Sequence, residues 1–167
     1  MVIEVGKIQG QKVYPVRIKY KGRAYLTLYY YTEHSDSLLH DEEKILCFRD
    51  FAAIKDFCDC WGLLIDGETS ENDFDLKLEN PIDYDSALNN WNLLNTIASD
   101  FGMYFEGNSK RYNSLYQLLF ALSTPLEPIP DTWDVSEYYL KQLVRVFRKK
   151  ERFLNRFGWY QEESPKN

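Results

Sequence analysis

The side chains best equipped for chemistry in this sequence are two histidines, three cysteines and a dense set of carboxylates. His34 and His40 share one polar stretch with Asp36 and Asp41, donors compatible with a metal or with general acid–base work. Cys58-Asp59-Cys60 is a C-x-C pair, but on a helix such neighbours point about 200° apart and cannot chelate together. No second pair stands at zinc spacing, so no closed four-ligand set can be assembled. There is no Gly-x-Ser-x-Gly elbow, and no cysteine lies close in sequence to a histidine. The 8 glycines are scattered singly and form no phosphate-cradling loop. These patterns call for no metal and no cofactor.

The carboxylates carry more information. Asp66 to Asp85 holds 8 acids (Asp66, Glu68, Glu71, Asp73, Asp75, Glu79, Asp83, Asp85) and one base, Lys77. That stretch is −7 and the whole chain is −6, so the other residues together carry only +1. A lesser acidic run follows the first strands, at Glu33, Asp36, Asp41, Glu42 and Glu43. Paired carboxylates are abundant here, but a general acid needs a buried carboxyl with a raised pKa, and Asp73 and Asp75 alternate with Phe74 and Leu76 and so read as exposed. Aromatic residues are interleaved: Phe74, Tyr84 and, further on, Trp91. Carboxylates held beside aromatic anchors suit the grip on a basic protein, with long-range attraction speeding encounter. The candidate partner-binding residues are therefore Glu68, Glu71, Asp73, Asp75, Glu79, Asp83, Tyr84 and Asp85, helped by Glu33 and Asp36.

Basic residues gather at the two ends, notably Lys141, Arg145, Arg148, Lys149 and Arg152 late in the chain. Mixed with Tyr138, Tyr139, Phe147 and Phe153, they could form a nucleic-acid surface. A chain of pI near 5.0 is a poor general binder of polyanions, so a basic helix end complementing its own dipole is the simpler account. Direct nucleic-acid binding is not expected. No apolar run approaches the roughly 20 residues of a membrane span, so no membrane partner is expected. Met1-Val2-Ile3-Glu4 opens without the basic and apolar regions of a signal peptide, and three cysteines make no disulfide framework. Together these indicate a reduced, cytoplasmic protein.

The elements that must position these groups can be read from periodicity. The 167 residues suffice for one domain, and 16% aromatic content argues against disorder. Residues 1–33 read as mainly β. Val16, Ile18 and Tyr20 alternate with Arg17 and Lys19, Lys21-Gly22-Arg23 turns the chain, and Ala24 to Thr32 answers as the partner strand. Pro15 suggests an edge position or a bulge. Ile3 to Ile8 reads as a third strand, and Phe74, Leu76 and Leu78 as a short later one. Helices are expected over 50–62, with Phe51, Ile54, Cys58 and Trp61 inward, and over 86–101, capped by Asp85 or Ser86. Two more are expected over 114–123 and 134–157, the last opened by the Asp134–Glu137 capping box. The fold class is α+β: a hairpin-rich antiparallel sheet with about four helices packed against it, in a single domain over 1–167.

One stretch carries a family resemblance. Trp91-Asn92-Leu93-Leu94-Asn95-x-Ile97-Ala98, then Gly107, Tyr112 and Leu115-Tyr116-x-x-Leu119-Phe120, resembles immunity proteins of bacterial contact-dependent growth inhibition systems. The resemblance covers roughly the middle and C-terminal part of the chain, and most of its residues read as core, with Trp91, Leu94, Ile97, Leu115 and Leu119 at helical spacing. It implies no catalysis. It implies a cytoplasmic protein that binds and neutralises the C-terminal toxin domain of a delivered effector, many such toxins being nucleases, including tRNA-cleaving ones. The partner expected is thus a cognate toxin domain, a basic protein covered by the acidic surface. The alternative is a small hydrolase or nuclease using His34 or His40 with the acids around them.

Overall fold

The computed structural model describes residues 8–123 and 135–160. The fold is α+β, and the chain divides into two compact units: residues 1–71 with 156–167, and residues 72–155.

Unit 1 is built on the hairpin that the alternation predicts. β1 (Lys12–Tyr20) and β2 (Arg23–Tyr31) pair antiparallel, with Tyr20 opposite Arg23 and Tyr14 opposite Tyr29. Lys21 and Gly22 both take positive φ, 51° and 72°, the geometry of a two-residue turn whose twist matches the strands. β3 (Asp36–Leu38) extends the sheet antiparallel on β2. β5 (Leu64–Ile65) adds to β1 in parallel, so the sheet is mixed and not purely antiparallel. β6 (Ser70–Asp73), whose first residues belong to this unit, also pairs with β1. Pro15 is therefore not on an edge strand. It falls just beyond the Lys12–Val13 pairing with β5, where its missing amide breaks no bond of that ladder.

A second, two-stranded parallel sheet joins β4 (Ile45–Cys47) to β7 (Phe157–Trp159). The apolar centre of unit 1 contains Val13, Leu28, Phe48, Ile54 and Phe57, with Tyr30 packed against it. α1 (Phe51–Trp61) supplies its share from Ile54, Phe57 and Cys58. Phe51 and Trp61, expected on the same stripe, are exposed instead. Asp50 caps α1 through the Ala53 amide, and Gly62 ends it at φ 68°. The Ile3–Ile8 strand lies outside the described residues except for Ile8, which is in a turn.

Unit 2 is helical. α2 (Tyr84–Asp100) buries Leu88, Trp91, Leu94 and Ile97, and α3 (Asn113–Ser123) buries Leu115 and Leu119. Between them, two short 3-10 turns at Glu106–Asn108 and Lys110–Tyr112 bring Tyr112 into the core. Trp91 meets Phe105, Tyr116 and Phe147 edge-on, with ring centroids 5.5–6.3 Å apart. Gly107 belongs to this knot: a Cβ there would lie 2.6 Å from Phe105 and 2.9 Å from the Trp91 indole nitrogen. Most of the residues that carry the resemblance are thus buried around one aromatic centre, while Asn92, Asn95 and Phe120 are exposed.

Three expectations are corrected. The long C-terminal helix over 134–157 is two, α4 (Glu137–Phe147) and α5 (Glu151–Leu154), followed by β7. Arg148, Lys149 and Lys150 offer no apolar side chain to bury, and the Lys150 ammonium donates to the Phe74 carbonyl at 2.7 Å. The β-favouring Phe157 to Trp159 pair instead with Ile45 to Cys47. Ser136, and not Asp134, caps α4, and Asp134 lies outside the described residues. The strand read over Phe74 to Leu78 ends at Asp73, because the Asp73 carboxylate accepts from the Asp75 amide at 2.9 Å and turns the chain.

Candidate functional site

The acids proposed as a docking surface fall into both units, so each set has its own geometry. In unit 1, Glu71 on β6 is not a spare charge. Its carboxylate accepts from the Arg17 guanidinium at 3.0 Å. Asp66 is similarly engaged, by Lys12 at 3.6 Å. Glu68 is exposed in the loop between β5 and β6 and makes no hydrogen bond or ion pair among the described residues. Glu33 is exposed in the loop after β2 and lies 4.0 Å from the His34 ring.

Asp36 is better placed. It begins β3, directly opposite Tyr31 of β2, and directly opposed residues project to the same face of a sheet. Tyr29, two residues before Tyr31, stacks on Tyr14 with centroids 5.2 Å apart, and Tyr31 stands edge-on to both rings. Partial burial lifts the Asp36 carboxyl above the ordinary range. Burial also pushes the Tyr29 hydroxyl well up, helped by its hydrogen bond with Tyr31 and by the neighbouring Asp36 and Tyr14. These tyrosines were not among the residues singled out for binding. The two-residue turn carries the missing signal, since Tyr20 opposite Arg23 fixes Tyr14 opposite Tyr29 six pairs later.

In unit 2 the remaining acids line the chain from Asp73 to Asp85. Asp83 is the N-cap of α2 and Asp73 holds its own turn, so both have structural work. Asp73 also offers its carbonyl to Asn90, a buried side chain that accepts from Asn72. Asp75, Glu79 and Asp85 are exposed, and Glu79 and Asp85 have no hydrogen bond or ion pair among the described residues. Tyr84 is half-buried at the first position of α2. The turn at Phe74 drives that ring into the interior, so it is no surface anchor, and Trp91 is buried too. The aromatic neighbours expected beside these acids are therefore core residues, apart from Tyr84.

The histidines do not converge on a catalytic arrangement. His34 is exposed, and the ring nitrogen Nδ1 of His40 lies 2.7 Å from the Asp41 carbonyl. The Asp41 carboxylate is spent on the amides of Glu43 and Lys44, at 2.8 and 2.7 Å. Among the described residues no three His, Cys, Asp or Glu side chains gather as a metal site would require. Cys47 and Cys58 are buried and only Cys60 is exposed, as expected for side chains two apart on a helix. Burial pushes the Cys47 thiol up to about 12. It pushes Cys58 up to about 11, with Asp59 adding to the effect. Unit 2 also has a cleft of about 190 Å³, floored by Phe105, Val146 and Phe153 and rimmed by Lys149, Arg152 and Tyr104. No helix among the described residues is long and apolar enough to cross a membrane.

No protein-family model matches the chain, and no curated protein matches it in sequence. A solved structure does match in shape: the C-terminal domain of SatS, crystallised in complex with bromine. The TM-score is 0.57 over 94% of this chain and 95% of that one, at 15% identity, so the likeness is one of fold.

Proposed function

We propose that the chain is a non-catalytic immunity protein that binds and neutralises a basic toxin domain, the C-terminal part of a contact-dependent inhibition effector. A nuclease, tRNA-cleaving or otherwise, is the partner that suits it. The observation that carries this reading is the set of exposed carboxylates on ordered backbone, Glu79 and Asp85 foremost, with no cation of their own among the described residues. Fixed, uncompensated charge is available to an incoming partner at no cost in ordering. A nuclease active site is electropositive because it holds phosphates, and such carboxylates complement it. The resemblance over Asn90 to Phe120 supports the same class, and the cytoplasm is where such a protein would meet its toxin.

The test is direct. The purified chain is mixed with the toxin domain encoded immediately upstream of its gene. A one-to-one complex with a Kd of about 1 nM or tighter, and loss of toxin activity, is expected. Absence of such a toxin, or of any complex, overturns the reading. The hydrolase alternative is separated by replacing His34 and His40 with alanine. Inhibition survives that change, whereas a hydrolytic activity of the chain that vanished with the histidines would establish the alternative.

A further inference from the structure

We infer that the Tyr31–Asp36 pair on the β2–β3 edge of unit 1 is a seat for an arginine side chain of the basic partner. The inference rests on the reading that the partner is a basic protein, and it adds the residue type and the place.

Three features make this corner unlike the rest of the acidic surface. Tyr31 remains 51% exposed although its ring touches two others, so much of it still faces solvent. Asp36, its cross-strand partner, has no cationic neighbour among the described residues. Its carboxyl is already partly stripped of water, which leaves an anion whose best relief is an incoming cation. The rings are also held stiffly. Tyr29 and Tyr14 stack at 5.2 Å, and Tyr31 stands edge-on to both, so little side-chain freedom is lost on binding.

An arginine fits both halves at once. Its planar guanidinium lies on an aromatic face while its N–H fork reaches a carboxylate. A lysine can approach the ring or the carboxylate as a point charge but cannot stack and fork together. Lys12, at this end of β1, is engaged by Asp66. Further carboxylates stand close in sequence or in space. Glu33 follows Tyr31 by two residues, and a Cβ built on Gly67, next to Glu68, would lie 3.7 Å from the Tyr14 ring.

The experiment uses the full chain, labelled with nitrogen-15, and two acetylated heptapeptides. One carries arginine at positions three and five among glycines, and the other carries lysine there. The arginine peptide is expected to bind roughly 5- to 30-fold more tightly and to shift the amides of residues 29–31 and 36. Asp36→Asn and Tyr31→Ala each erase that preference, while Tyr31→Phe, which keeps the ring, retains it. Native-like spectra of the Asn and Phe variants show that folding is not the cause. Equal binding of the two peptides, or a preference untouched by Asp36→Asn, overturns the inference. Shifts centred on residues 75–85 overturn it too, yet leave the basic-partner reading standing. That reading falls only if the toxin domain itself is not bound.

Discussion

Asp83 holds Ser86 at two points, accepting from its amide at 3.0 Å and from its hydroxyl at 2.9 Å. The contact starts α2, the helix that carries Trp91, Leu94 and Ile97 into the interior of unit 2. A residue that looks like docking charge is therefore a helix cap. Asp83→Ala is expected to lower stability by about 1 kcal/mol, read as a lower urea midpoint at unchanged slope. Asp85→Asn, an exposed change in the same turn, should leave the midpoint nearly in place. Equal midpoints for the two variants would refute the capping role.

Gly107 gives a sharper test of the aromatic centre. A methyl group there would meet Phe105 at 2.6 Å and Trp91 at 2.9 Å, and both rings are buried and packed on others. Neither can give way like the tip of a flexible side chain. Gly107→Ala should cost about 1–3 kcal/mol through overpacking, although alanine is the milder residue for backbone entropy. Thermal unfolding decides the matter: a melting point at or above that of the parent would mean the knot is looser than these distances indicate.

The thiols divide by burial. Near pH 8 a thiol reagent should titrate one cysteine, Cys60, in the native protein and all 3 in denaturant. Cys47 and Cys58 also link folding to alkaline pH. Their folded values, about 12 and about 11, lie above the ordinary 9.0, so the fold favours the protonated thiol. That contribution is full below about pH 9 and is lost as pH rises towards the folded values, by at most about 1.4 kcal/mol per pH unit for each thiol. Cys47→Ser, which removes one such group, should flatten the decline between pH 9 and 11. An unchanged slope would count against burial as the cause.

Periodicity was informative where one physical rule acted alone. The β1–β2 hairpin follows from alternation plus one glycine turn, and α2 follows from apolar spacing. Reading failed where side-chain chemistry or a distant partner competed. Asp73 turned its own chain and cut short an apparent strand. Phe157, the last residue of the expected helix, pairs instead with Ile45, and Gly158 and Trp159 continue that strand, more than 100 residues from their partners, a choice that no local window contains. The acidic segment was legible as charge but not as function, because composition cannot separate Glu71, paired with Arg17, from Glu79, which has no such partner among the described residues. Tyr31 and Asp36 could have been joined only by pairing a 3-residue strand that alternation is too short to reveal.

That difference between spent and available carboxylates predicts two behaviours from equal nominal charge. Neutralising Glu79 and Asp85 together removes exposed charge while leaving the cap of α2 and the Asp73 turn intact. Association with a basic toxin domain should then slow by roughly 10-fold at low salt, and the gap should close towards 1 M salt, where the screening length is about 3 Å. Neutralising Glu71 and Asp83 instead strands Arg17 without its partner and removes the cap of α2. This second set should lower the melting point clearly, and since it changes the net charge by the same amount as the first, a smaller effect on association would report position and not net charge. Stopped-flow association rates across a salt series, set beside melting points, separate the two. If both sets slow binding equally, only net charge matters, and the exposed carboxylates of unit 2 are not a docking surface.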